Sequence, residues 1–429
     1  MPAARGGPPA TMRGPLARYR GIPCTPRAAP PRADGLKSRV GERSLAVTST
    51  ARSAKACPPF RSLSDLAEAA SAATRGALLE FVESGAGAEW TRRANLAAFD
   101  AWSLVPRVLR NVREVDLTTR LLGTPVHAPF FASPTAYQGA VHPAGERATA
   151  RALGRAGILG VYSTLSSRSL EEIASAAPAA PRWFQLYLQP DLTASEELLR
   201  RAERAGYSAA VVTVDAPVLG PRDLQSRGGF ALDRPVPVGN GPGIRSPARE
   251  LVPREKGYAL EGGAEYSWDD FERLVKGTDL PLVLKGVLSP EDAREAVRRG
   301  AKGLLVSNHG GRQLDRALPS LDALPDVVEA IGSRAEVYLD GGVRRAPDIL
   351  IARALGARAA GLGRPILWAL AVGGERGVER LARLLSSELA TSLLLLGRRS
   401  IAEVDRTAVR ENRWRNPPPP HATGRTVGD

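Results

Sequence analysis

Leu282-Val283-Leu284-Lys285-Gly286-Val287-Leu288-Ser289-Pro290-Glu291-Asp292-Ala293-Arg294-Glu295-Ala296-Val297-Arg298-Arg299-Gly300-Ala301-Lys302-Gly303-Leu304-Leu305-Val306-Ser307 is the stretch whose reading decides the fold. An apolar run opens it and ends on Lys285. Ser289 then stands where a helix N-cap is wanted, with Pro290 at the first helical position and Glu291 and Asp292 in the first turn. Arg298 and Arg299 fill the last turn, Gly300 stops the helix, and residues 303–306 read as the next strand. A strand with no polar alternation has to be covered on both faces. The unit therefore predicts a parallel sheet coated by helices.

Outward in both directions the rhythm repeats. Strands are predicted at 129–132, 158–162, 183–188, 209–214, 281–284, 303–306, 337–339 and 359–362, and before four of them a helix ends on a glycine, at Gly157, Gly206, Gly300 and Gly356. Eight strand–helix units fit a closed (β/α)8 barrel of the α/β class better than an open doubly wound sheet, and no Gly-x-Gly-x-x-Gly follows the first strand to favour the latter. Leu63, Leu66, Ala70, Ala73, Ala77 and Phe81 recur at helical spacing, with Ser62 or Ser64 as N-cap, and predict a helical extension ahead of the barrel. A glycine-rich turn over 83–91 leads to a second helix ending near Trp102. Between Asp215 and Trp268, after the fourth strand, lie about fifty residues dense in Pro, Gly and Arg; so long a loop reads as a lid or binding loop, with an inert insertion as the alternative. Apolar helices follow to about Leu396.

The chain has 429 residues and a formal charge of +14, which suggests nucleic acid until the charge is located. Residues 1–59 hold eleven Lys/Arg against Asp34 and Glu42 alone, leaving +5 for the other 370 residues. That argues against a specific nucleic-acid surface on the barrel. The predicted organisation is a disordered basic Pro/Arg/Ala-rich extension at 1–59, a barrel at 60–410 and a disordered tail at 411–429. The extension reads as an inert segment or an upstream mis-start, with a targeting peptide or nucleic-acid tether as alternatives. No apolar h-region or membrane span is present, and the expected location is cytoplasmic. Both cysteines, Cys24 and Cys57, lie in the extension, so a thiolate metal site or cysteine nucleophile is excluded from the barrel, and no metal is expected.

A barrel gathers the carboxyl ends of its strands on one face, where catalytic groups collect. The residues at those ends are Ser133-Pro134-Thr135-Ala136, Ser163-Thr164, Gln185 and Tyr187, Thr213 and Asp215, Lys285, 307–312, 340–344 and Gly363-Arg364. Ser307-Asn308-His309-Gly310-Gly311-Arg312 combines a base that titrates near neutral pH, a flexible glycine pair and a guanidinium able to grip a carboxylate. Asp340-Gly341-Gly342-Val343-Arg344 and Gly363-Arg364-Pro365 are glycine-rich loops with arginines after the seventh and eighth strands, where barrels hold phosphate.

These motifs, Ser-Asn-His-Gly-Gly-Arg-Gln at 307–313, Leu-Lys-Gly at 284–286, Thr-Val-Asp-Ala-Pro at 213–217, Phe-Gln-Leu-Tyr at 184–187, Asp-Gly-Gly-Val-Arg-Arg at 340–345 and Gly-Arg-Pro at 363–365, together resemble the FMN-dependent α-hydroxy-acid oxidase/dehydrogenase family, to which glycolate and lactate oxidases belong. The resemblance implies oxidation of an L-2-hydroxy acid to the 2-oxo acid, with FMN as cofactor and oxygen or another electron acceptor as partner, and a homo-oligomer, the tetramer of the family. It implies His309 as the base, oriented by Asp215, with Arg312 and Arg222 on the substrate carboxylate and Tyr187 on the substrate oxygen. Lys285 would face the flavin's pyrimidine edge. Gln185, Thr213, Thr164 or Ser166, Ser307, and backbone at Pro134, Thr135 and Ala136 would hold the ring system. Asp340 would contact the ribityl chain, and Gly341, Gly342, Arg344, Gly363 and Arg364 the phosphate. Two positions depart from the family pattern: Phe81 stands where a tyrosine usually assists carboxylate binding, and Arg168 stands in a shortened loop where an aromatic residue is common. Tyr137 adds bulk beside Ala136. Alternatives are a flavin-binding barrel with lost or altered turnover and another FMN barrel, such as one of the type 2 isopentenyl diphosphate isomerase kind.

Overall fold

The computed structural model describes residues 60–74, 76–221, 236–244, 250–254, 257–261 and 265–412. The expectations for 1–59, for 413–429 and for Arg222 lie outside the described residues. Eight parallel strands close into the expected barrel: β1 (Phe130–Ala132), β2 (Leu159–Ser163), β3 (Arg182–Tyr187), β4 (Ala210–Thr213), β5 (Leu282–Val287), β6 (Gly303–Val306), β7 (Glu336–Asp340) and β8 (Ala359–Leu362). Each strand pairs with its successor, and β8 returns to β1 through Ala360–Phe130 and Leu362–Ala132.

Alternation along the strands, invisible in the continuous apolar runs, sorts the side chains into two cores. Phe130, Phe184, Val212, Leu284, Leu304 and Leu339 face the helices. Phe131, Leu159, Val161, Trp183, Val211, Val283, Leu305, Tyr338 and Ala359 fill the barrel, with Trp183 and Phe131 meeting the Tyr338 ring edge-on at 5.4 and 6.1 Å between centroids. A hairpin of Thr119–Leu121 and Thr124–Val126 adds Leu121 and Val126 beneath this layer and shuts the N-terminal end. The barrel interior is therefore packed from below, and among the described residues the interior opens at the C-terminal end.

The helix signals act as read. Ser289 accepts from the Asp292 N–H, and Gly157, Gly206, Gly300 and Gly356 all have positive φ. The N-terminal extension differs from the single helix its spacing predicts. It is α1 (Leu63–Ala73) and α2 (Ala77–Glu83), parted where Thr74 turns extended, its hydroxyl donating back to the Ala70 carbonyl at 2.7 Å, and where Gly76 has φ +58°. The next helix, α3 (Trp90–Asp100), stops short of Trp102, which opens a strand, Trp102–Leu104, paired antiparallel with Val409–Glu411. In the long connection after β4, Glu250–Arg254 and Gly257–Glu261 form an antiparallel hairpin.

Candidate active site

Following each barrel strand inward and upward, the apolar series stops and polar groups take over. After Phe131 comes Ser133, after Val161 Ser163, after Trp183 Gln185 and Tyr187, after Val211 Thr213 and Asp215, after Val283 Lys285, after Leu305 Ser307, and after Tyr338 Asp340. Period two alone carries these groups to one end of the barrel. A cavity of about 370 Å³ opens there, lined among others by Phe81, Tyr137, Tyr187, Lys285, His309, Arg312, Asp340, Arg344 and Arg364.

His309 has a built orientation. Its Nδ1 lies 2.8 Å from Asp215 Oδ1, and its Nε2 faces Tyr187 Oη at 3.4 Å. With Nδ1–H donated to the carboxylate, the Nε2 lone pair is left toward the cavity. Burial holds the imidazole below its ordinary range, with Lys285 and Arg312 adding to this and Asp215 opposing it, so His309 rests neutral at neutral pH. Burial pushes Asp215 up, but the Lys285 ammonium and His309 outweigh it and keep the carboxyl ionised below its usual range. Lys285 is 3% exposed and its Nζ stands 3.7 Å from Asp215 Oδ2; neither atom has a hydrogen-bond partner among the described residues. The approach depends on Gly286, which has φ +108° at a register shift in β5; a Cβ there would sit 2.5 Å from the Asp215 Cβ.

The loop that carries His309 is anchored from outside the barrel. Asn308 and Asn95 of α3 exchange side-chain hydrogen bonds, each at 2.8 Å, and Asn308 Oδ1 also accepts the Gly311 N–H. Both amides are buried, and Asn95 Oδ1 further accepts the Ser320 N–H. This network holds three successive left-handed residues, His309, Gly310 and Gly311, at φ +58°, +65° and +74°. A left-handed histidine is strained, and strain at such a point persists only where the surroundings enforce it. Arg312, beyond the turn, donates to the Ser84 carbonyl at 2.8 Å and lies over the Phe81 ring.

Across the cavity, two arginines make an anion hole. Burial pushes Arg364 down to about 9, with Arg344 repelling it, and pushes Arg344 down to about 10. Arg364 donates to the carbonyls of Val82, Ser84 and Gly310, and Arg344 lies over the Trp368 ring. Gly363 caps the following helix without a side-chain acceptor; Pro365 has no N–H and Ile366 donates to the Gly363 carbonyl at 3.0 Å, so in the first turn only the Arg364 N–H has no acceptor among the described residues. Gly341 and Gly342 have φ +99° and +87°, and a Cβ on Gly342 would meet the Asn95 carbonyl at 2.1 Å. Paired buried cations beside a helix start and a glycine turn fit a phosphate dianion. A buried ammonium with no hydrogen-bond partner among the described residues, Lys285, fits the electron-rich edge of a ring. The residues present thus suit a phosphorylated, aromatic cofactor such as FMN.

Among the residues expected at the site, Phe81, Pro134, Thr135, Ala136, Tyr187, Lys285, His309, Arg312, Asp340, Gly341, Gly342, Arg344, Gly363 and Arg364 line this cavity. Others lie beneath or behind it. Thr164 donates to the Gln185 carbonyl and accepts the Tyr187 N–H, Gln185 Nε2 donates to Thr213 Oγ1, and Ser307 Oγ accepts the His309 N–H. Ser166 is buried, its hydroxyl without a partner among the described residues. Arg168 donates to the Pro143 carbonyl and is not among the lining residues. Ser163, Asn308 and Gln313 stand in the strand-end motifs of the sequence without an assigned role there, whereas nothing in the sequence singles out Asn95 or the lining residue Leu367.

Residues 70–411 match the FMN-dependent dehydrogenase family. The chain belongs to that family. An L-lactate oxidase from Nostoc sp. is 45% identical over 333 residues, covering 76% of this chain and 91% of that protein. The 2-hydroxyacid oxidase 2 of Homo sapiens is 44% identical, over 78% of this chain and 93% of its own. A crystal structure of a mandelate oxidase superposes with a TM-score of 0.75 at 40% identity, covering 82% of this chain and 99% of the other. One mandelate oxidase structure in this group holds an FMN adduct. Membership makes FMN the cofactor that the anion hole and Lys285 fit, and it makes the chain an oxidoreductase. Among the described residues no helix is long and apolar enough to cross a membrane.

Proposed function

We infer that this chain oxidises an L-2-hydroxy acid to the corresponding 2-oxo acid, as the names of its relatives suggest for them. The observation that carries the reading is His309, neutral, fixed through Nδ1 to an ionised Asp215 and presenting Nε2 to the cavity beside Tyr187. FMN supplies the two-electron acceptor. His309 Nε2 takes a proton from the substrate as its electron pair departs, and Asp215 stabilises the imidazolium that results. Arg312 pairs with the substrate carboxylate, a role the family resemblance gives also to Arg222, which lies outside the described residues. Tyr187 Oη donates to the substrate oxygen. Lys285 would offer a fixed positive charge to the electron-rich edge of the ring system. The Arg344 and Arg364 side chains and the Arg364 N–H would hold the phosphate, and Asp340, which accepts from Ser133 Oγ at 3.0 Å, would meet the ribityl hydroxyls.

Phe81 leaves the wall above Arg312 without a hydroxyl, and the Tyr137 ring meets it edge-on at 6.3 Å. This aromatic wall favours a substrate with an apolar side chain over glycolate. The oxidase names of the relatives support oxygen as the acceptor. The test is an anaerobic panel of L-lactate, glycolate, L-mandelate and longer 2-hydroxy acids, read by loss of oxidised-flavin absorbance, followed by admission of oxygen. A yellow protein bleached by none of them would refute the reading; slow reoxidation by oxygen would refute only the acceptor.

A further inference from the structure

At the closed end of the barrel, opposite the active site, lies a second cavity of about 660 Å³. Its walls come from the N-terminal ends of strands: Arg120 of the plugging hairpin, His127 before β1, Arg358 before β8, and Arg353 in the last turn of the helix Ala346–Ala354. No Asp or Glu is among the described residues that line it. Arg353 and Arg358 are both half-buried, and neither forms an ion pair among the described residues. Arg358 spends one of its five N–H donors on the Arg120 carbonyl at 2.9 Å, while the Arg353 guanidinium has no hydrogen-bond partner among the described residues.

The active site provides an internal comparison. Among the described residues, three arginines are held below their ordinary range: Arg344, Arg364 and Arg353. In the first two the cause is burial, with the Arg344 guanidinium lowering Arg364 further, and that pair is the one proposed to hold the cofactor phosphate. Arg353 shows the same two causes, burial and then Arg358. Arg120 spends a donor on the Gly123 carbonyl at 2.8 Å, so the open donors are those of Arg353 and the remaining ones of Arg358; together they exceed what one carboxylate can use, and a tetrahedral dianion matches them better.

We propose that the cavity between Arg353, Arg358 and Arg120 at the N-terminal face of the barrel binds phosphate, free or as a small monoester. The site is independent of the reading of the active site. Its test uses the FMN-loaded full chain in phosphate- and sulfate-free buffer, titrated calorimetrically with inorganic phosphate and separately with glycerol 3-phosphate. The expected result is one saturable equivalent per chain, with affinity reduced at least tenfold in Arg353→Gln and in Arg358→Gln, while both variants keep their flavin and parental kcat. Tighter binding of the ester identifies a monoester as the occupant; tighter binding of inorganic phosphate identifies the free ion. No saturable binding by about 20 mM, unchanged affinity in both variants, or displacement of phosphate by pyruvate, which would place it at the active site, overturns the proposal. Saturation by malonate where phosphate gives none overturns the choice of a phosphate.

Discussion

Asp215→Asn tests the centre of the mechanism with almost no change of shape. Asp215 Oδ1 lies 2.8 Å from His309 Nδ1, which puts the carboxylate and imidazolium charges about 4 Å apart. At an effective dielectric of ~20 that attraction is worth about 4 kcal/mol, and it exists only once His309 has taken the proton. Losing it should slow flavin reduction on the order of a thousandfold, with substrate affinity little changed. Rapid-mixing anaerobic reduction reads the rate directly. The pH profile adds a check of sign. Burial already holds His309 below its ordinary value of 6.5, so the acid limb of kcat/KM for the parent should fall below that pH. Asp215 is the group that raises His309 and Lys285 one that lowers it. Asp215→Asn should therefore move the acid limb down even as the plateau drops, and Lys285→Met should move it up. Reduction within tenfold of the parent, or limbs that shift together, would refute the assignment of His309 as the base and Asp215 as its support.

Four further outcomes are expected. Phe81→Tyr restores a hydroxyl above Arg312 and should lower KM for a small 2-hydroxy acid by up to about tenfold, the worth of roughly one hydrogen bond, with kcat little altered. Arg364→Met removes one of two charges from the anion hole and should weaken FMN binding by about 2 kcal/mol, measured by fluorescence of released flavin. Asn95→Leu leaves the buried Asn308 amide without its partner and should cost about 1–3 kcal/mol in urea unfolding; kcat should fall with it, because the His309 turn loses its anchor. Gly342→Ala forces a Cβ to 2.1 Å from the Asn95 carbonyl at φ +87° and should cost at least as much, with loss of flavin.

Much of this was legible in the residues, and the boundary of legibility has a physical cause. Parallel strands covered on both faces are continuous apolar runs, so residues 303–306 or 359–362 stand out, and a polar residue after such a run marks an open end. The same continuity hides which face each residue takes. Ser163 lines the cavity while Thr164 beside it ties β2 to β3, and one position of parity separates those fates. Turn chemistry was partly readable: Thr74 and Gly76, which split the predicted first helix, are ordinary breaking signals overridden by apolar spacing on either side. The Asn95–Asn308 pair was not readable at all, because its partners are 213 positions apart and each alone is an unremarkable polar residue.

Depth along the barrel axis is what the structure adds, and it separates two kinds of polar group that the sequence presents as one. Lys285 and Thr213 are register partners on adjacent strands, both inward and both buried. Thr213 accepts from Gln185 and lies below the cavity, a cross-strand tie; Lys285 reaches its wall and leaves an ammonium with no hydrogen-bond partner among the described residues. A buried polar group that is satisfied holds the frame, and one that is left unsatisfied at a cavity wall is held for a ligand. On that criterion Gln185, Thr213 and Thr164 position the floor under the ring system. Lys285, His309, Tyr187, Arg312, Arg344 and Arg364, the proposed contacts of substrate and cofactor, line the cavity itself. Conservative changes in the first group should therefore lower thermal stability and flavin retention together, whereas changes in the second should lower binding or rate at nearly constant stability.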